Sequence, residues 1–201
     1  MSNSLKIRPA SPGDSGDLAI IADMATRGLS SFLWTAVASE GKPPFEIWRS
    51  IIRGDQANTI HHSNWLVAQS RANVLGAVNG YTLSRTHLTA PTGPSACVLE
   101  PLNELKGMAI GTWYIAAIAV FPEARGRSVG SSLLRFAEQA ARAASVDEIT
   151  LMVGSFNPRA RNLYESIGFK RLADRTFQPF RGSDPEGYWV LMSKTLKGRT
   201  G

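Results

Sequence analysis

Cysteine is almost absent from this chain. Cys97 is the only one, which excludes an internal disulfide framework and a thiolate metal cluster. Long apolar runs are missing too. The longest, about Met108 to Phe121, contains Gly111 and Thr112 and is too short to span a bilayer. No membrane partner is expected. The first residues, MSNSLKIRPASPGD, lack the apolar core of a signal peptide, so the expected location is cytoplasmic. Runs of consecutive basic residues are lacking as well, although the net charge is +6. A basic surface attracts polyanions without choosing among nucleic acid, membrane and a phosphorylated small molecule. The scatter of single and paired Lys and Arg speaks against nucleic acid.

What is present suits one soluble domain over residues 1–201, with a hydrophobic fraction of 43% and a charged fraction of 19%. LKIRPA (5–10) alternates as a strand does. Asp14 to Leu29 reads as a helix, with Leu18, Ile21, Ala22 and Ala25 at helical spacing. A second helix is predicted after Pro43-Pro44. NWLVAQ (64–69) and VLGAVNGYTL (74–83) read as a hairpin. Residues 85–107 read as a long lid or binding loop with a short helix near LNELK.

TWYIAAIAVF (112–121) suits a strand buried on both faces. SVGSSLLRFAEQAARAA (128–144) is amphipathic at helical period. EITLMVG (148–154) is a strand and PRARNLYESI a short helix closed by Gly168. FKRLADRTF (169–177) and YWVLMSKTL (188–196) read as the last strands. The final strand either ends the sheet or pairs across a homodimer.

The chemistry concentrates between strand 112–121 and helix 128–144. Arg125-Gly126-Arg127-Ser128-Val129-Gly130-Ser131 follows the turn at Phe121-Pro122. Small residues at 126, 128, 130 and 131 let backbone N–H groups approach a ligand, and the helix start adds unpaired N–H groups and a partial positive charge. Such a junction suits a pyrophosphate, with Arg125 and Arg127 adding charge-assisted bonds. The plain alternative is a tight turn whose glycines serve packing. Neither G-x-x-x-x-G-K-[ST] nor G-x-G-x-x-G occurs here.

This loop resembles the coenzyme A loop of the GNAT superfamily (Gcn5-related N-acetyltransferases), written [Q/R]-x-x-G-x-[G/A], except that Ser128 stands at the middle glycine. A second stretch, Asn157 to Phe169, resembles the later family motif N-x-x-A-x-x-L-Y-x-x-x-G-F. Read locally, Asn157 caps, Pro158 takes the first helical position and Gly168 ends the helix.

The resemblance implies an α/β (α+β mixed) GNAT fold, a central mixed sheet of about six to seven strands flanked by helices. It implies acetyl-CoA as cosubstrate, without a metal, and an amine acceptor on a small molecule or a protein. Backbone groups around Ile118, Ala119 and Val120 would hold the pantetheine arm. Arg125, Gly126, Arg127, Ser128, Val129, Gly130 and Ser131 would hold the diphosphate, and Asn157 would contact the cofactor. Tyr164 would protonate the departing sulfur; without the resemblance it reads as a core aromatic.

Ala116 stands where many relatives carry a polar residue acting as general base. Tyr114, Glu100, Glu104, His87 and a water chain are the substitutes. The aromatics Phe32, Trp34, Phe45 and Trp48 form either an acceptor wall or packing between helices. Two other functions stay open: an acyl-CoA sensor without catalysis, and an RNA- or ribosome-associated protein, suggested only by a pI of about 9.8.

Overall fold

The computed structural model describes residues 5–37, 43–88, 93–183 and 186–196. It contains a seven-stranded mixed sheet of order β1-β2-β3-β4-β5-β7-β6. The described residues also form six α-helices. They divide into two units, 1–80 with 116–137, and 81–115 with 138–201.

The first unit holds β1 (Lys6–Pro9), α1 (Ser15–Thr26), α2 (Leu29–Val37), α3 (Pro44–Gly54) and β2 (Trp65–Ser70). It also holds most of β3 (Asn73–Thr82), the second half of β4 (Trp113–Val120) and the start of α5 (Val129–Ala143). The predicted helix 14–29 is α1, which stops at Thr26, three residues short of the predicted end, and α2 follows as a helix the sequence reading did not include. Arg27 (φ 53°) and Gly28 (φ 88°) are both left-handed, and two such residues in succession break the helical ladder.

Leu18, Ile21, Trp34, Ile52, Trp65 and Val67 form the buried centre of this unit. Trp34 is buried, with its ring 5.2 Å from that of Trp48, which is the packing reading of these aromatics. Phe45 is exposed.

β1, β2 and β3 are antiparallel neighbours, with a bulge between Ala68 and Gln69. Gly76, paired with Ala68, sits where a Cβ would lie 2.5 Å from the Ala119 carbonyl oxygen and 2.9 Å from the Val120 Cα. No side chain fits in that space, so the glycine permits β4 to lie this close.

The second unit holds α4 (Ala96–Met108), the first half of β4, the end of α5, β5 (Glu148–Gly154), α6 (Pro158–Ser166), β6 (Lys170–Thr176) and β7 (Tyr188–Thr195). β4 and β5 are parallel, paired from Trp113–Ile149 to Ile115–Leu151. Beneath them, the buried hydroxyls of Thr112 and Thr150 share a hydrogen bond of 2.6 Å.

The segment read as a lid or loop, 85–107, is largely α4, with Pro101 buried inside it. Positions 89–92 lie outside the described residues. β7 pairs with β5 on one side and β6 on the other. It therefore neither ends the sheet nor offers an edge to a partner chain; β6 is the outer strand.

Candidate functional site

In the first unit, Ile118, Ala119 and Val120 close β4, and a 3-10 turn (Pro122–Ala124) leads to Arg125. Arg125 Nε donates to the Val120 carbonyl at 3.2 Å, which ties the loop to the strand end. Gly126 (φ 76°) and Ser128 (φ 58°) are both left-handed. This is the physical reason for a glycine at the middle motif position: the backbone there is one that L side chains adopt only at a cost.

α5 begins at once. Ser132 N–H donates to the Ser128 carbonyl, and Val129 turns its side chain into the core. The backbone N–H groups of Gly126, Arg127, Ser128, Val129, Gly130 and Ser131 make no well-formed hydrogen bond with any described residue. Positive φ at alternate residues followed by a helix start concentrates such donors into an anion cradle. Arg127 is exposed beside them.

In the second unit, Asn157 caps α6. Its Oδ1 accepts from Ala160 N–H at 3.3 Å, which leaves the Nδ2 donor for other use. Gly168 (φ 98°) terminates the helix, and Phe169 N–H returns to the Tyr164 carbonyl at 3.0 Å. Tyr164 is buried, with its ring 5.9 Å from that of Phe169. Burial pushes its phenol up to about 12, so the hydroxyl keeps its proton throughout the neutral range. That hydroxyl bonds to no described residue.

The model of the Acetyltransferase (GNAT) family matches residues 29–169. The chain belongs to the GNAT family. No protein of curated function matches its sequence. Among solved structures it is similar to an acetyltransferase at TM-score 0.65 and 20% identity, over 96% of this chain and 100% of that one. A spermidine N-acetyltransferase from Vibrio cholerae, in complex with CoA and spermine, is similar at TM-score 0.61 and 16% identity, over 97% of each chain. So is yncA from Salmonella typhimurium, solved with acetyl-CoA, at TM-score 0.61 and 16% identity, over 99% and 98%. At these identities the likeness speaks for the GNAT fold.

Ala116 carries no acid–base group, and the residues expected as its substitutes have the following surroundings. Tyr114 is buried, and burial together with neighbouring Tyr81 raises its pKa, so it stays a neutral phenol and is no base. His87 Nδ1 accepts from Ser84 N–H at 3.0 Å. A neutral ring then carries its proton on Nε2 and presents no outward lone pair. Glu104 is held in an ion pair by Arg175. Glu100 is exposed.

His61 and His62 lie in the other unit, with ring centroids 4.1 Å apart and planes tilted by 43°. Cys97 is exposed on α4. Among the described residues there is no group of three or more His, Cys, Asp or Glu that could hold a metal ion. Nor is any helix long and apolar enough to cross a membrane.

Lys106 was not singled out by the sequence. It extends from α4 over the Tyr114 ring, 5.7 Å from the centroid. A single lysine in a helix carries no local signature, and only the packing of α4 reveals it.

Proposed function

We propose that residues 1–201 act as one acetyl-CoA-dependent N-acetyltransferase domain that acetylates an amine by direct attack. The observation that carries this reading is the row of unpaired backbone donors from Gly126 to Ser131, in a family of acetyltransferases. A pyrophosphate fits that donor set: successive N–H groups, a helix start, and Arg125 and Arg127 beside it. The CoA and acetyl-CoA bound to two of the similar structures support the same ligand here.

Acetyl-CoA, when bound, supplies the acetyl group as a thioester. The chain supplies position and proton management. Backbone groups of Ile118, Ala119 and Val120 orient the pantetheine arm, and Asn157 Nδ2 adds a donor. Holding both reactants in fixed geometry removes much of the entropic barrier. Tyr164 Oη gives its proton to the departing sulfur as the C–S bond breaks and the C–N bond forms. The phenol suits that role because burial keeps it protonated. The proton lost by the amine leaves through Glu100 or a chain of water, since Tyr114, His87 and Glu104 are otherwise committed.

Calorimetric titration with acetyl-CoA tests the reading, with desulfo-CoA and ATP as controls. Saturable binding of both CoA ligands, with none of ATP, followed by amine-dependent thiol release, is the expected result. Absence of CoA binding at low salt would overturn it.

A further inference from the structure

Lys106 is a half-buried cation without an anion. Its Nζ makes no hydrogen bond or ion pair with a described residue and lies over the face of the Tyr114 ring, 5.7 Å from the centroid. Other cations of the same unit behave differently. Lys194, also half-buried, holds Glu138 at 2.6 Å, and Arg175 holds Glu104.

The sequence of α4 explains the difference. Its neighbours at helical spacing are Leu102, Asn103, Ala109 and Ile110, none of them acidic. Burial lowers the pKa of this ammonium, since desolvation disfavours the charged form. A π face offsets such desolvation only in part.

The surroundings define what anion would complete it. Tyr81 packs edge-on against Tyr114 at 6.0 Å, and His87 edge-on against Tyr81 at 5.0 Å. The result is one ammonium over aromatic rings, without an arginine fork or a helix start among these residues. That set suits a single carboxylate rather than a phosphate. Tyr114 lies two residues before Ala116 on β4, so their side chains share one face of the strand.

We propose that Lys106 selects the acceptor: the amine substrate also carries a carboxylate, which pairs with Nζ above Tyr114. The inference rests on the acetyltransferase reading for its functional meaning, but the anion site itself does not. A net charge of +6 favours the approach of such an acceptor and disfavours a polyamine.

The test uses ω-amino acids from glycine to 6-aminohexanoate, each beside its carboxamide, on the full chain and on Lys106→Met and Lys106→Arg. Binding is followed by the NMR signals of the Tyr114 ring, and turnover by thiol release. The expected result is that at least one amino acid shifts the Tyr114 signals saturably while its amide does not. That difference disappears in Lys106→Met and partly returns in Lys106→Arg.

In turnover, kcat/KM should favour the carboxylate by about tenfold or more, chiefly through KM, as a charge-assisted bond provides. The ratio should fall toward one in Lys106→Met. Equal response to acid and amide, no response to either, or a preference that survives Lys106→Met would overturn the proposal. Acetyl-CoA binding, measured in the same samples, separates this outcome from failure of the acetyltransferase reading.

Discussion

Arg8 grips Asp14 through two parallel hydrogen bonds, each 2.8 Å long, from Nη1 to Oδ2 and from Nη2 to Oδ1. The carboxylate also accepts from the N–H and the hydroxyl of Ser11, so the pair pins β1 to the start of α1. The hydrogen bond from Arg8, helped by those from Ser11, holds the Asp14 carboxyl at about 2, against 3.8 for an ordinary aspartate.

A depressed folded-state value means that the unfolded chain binds the proton more tightly. The stabilisation is therefore present above about pH 4 and lost as pH falls through about 2, and amounts to about 2 kcal/mol. Arg8→Met should remove about that much at neutral pH and flatten the acid limb of the stability curve. Urea unfolding at a series of pH values checks it. An acid limb that is the same in both proteins would remove Arg8 as its cause.

Ser128 bears a left-handed backbone at φ 58°. Ser128→Gly should relieve the strain, less the entropy gained by the unfolded chain, for a net gain of about 0.5–1 kcal/mol. Ser128→Val should destabilise, because a β-branched residue tolerates positive φ worst. Thermal unfolding of the two variants separates this account from a side-chain role. If glycine weakened acetyl-CoA binding without gaining stability, the hydroxyl rather than the backbone would matter.

Gly76→Ala should cost about 2 kcal/mol, since its Cβ would meet the backbone of Ala119 and Val120. An alanine in an ordinary strand position would instead gain slightly over glycine. The same displacement should weaken acetyl-CoA binding, because it moves the strand proposed to hold the pantetheine arm. Chemical denaturation and calorimetry report the two effects.

Tyr164→Phe should slow acetyl transfer by about a hundredfold while sparing acetyl-CoA affinity. Because burial raises the phenol to about 12, its protonated form dominates until well above neutrality. The kcat profile should therefore show no descending limb from this group between about pH 7 and 10. A descending limb near pH 9 that vanishes in the phenylalanine variant would contradict the assigned environment.

Sequence patterning located every strand among the described residues, because alternation and fully apolar runs both report sheet burial. Helices were less legible where local chemistry and packing disagree. Gly28 marks the end of the first helix, but α2 (Leu29–Val37), which starts directly after it, is not part of the sequence reading. Residues 85–107 read as loop from their Pro, Gly and Thr content, with helix only near LNELK, yet burial of Val98, Pro101 and Leu105 extends that helix over Ala96–Met108.

The candidate site divides in the same manner. The loop and the Asn157–Phe169 motif were readable because glycine, asparagine and proline act locally on the backbone. The pairing of Glu104 with Arg175 joins residues distant in sequence, and that of Lys106 with Tyr114 joins a helix to the next strand; no local pattern encodes either.

β7 lies between β5 and β6 although it follows both in the chain. A ribosome delivers residues in order, so while Tyr188–Thr195 is still in the exit tunnel, β5 has one bare edge and β6 has no partner. That interval exposes a row of unpaired amides and carbonyls on a strand whose side chains are mostly buried in the finished sheet. Translation of the last segment thus controls when the second unit becomes safe from aggregation. A product released before Tyr188 would be a substrate for chaperones and proteases rather than a partly active enzyme.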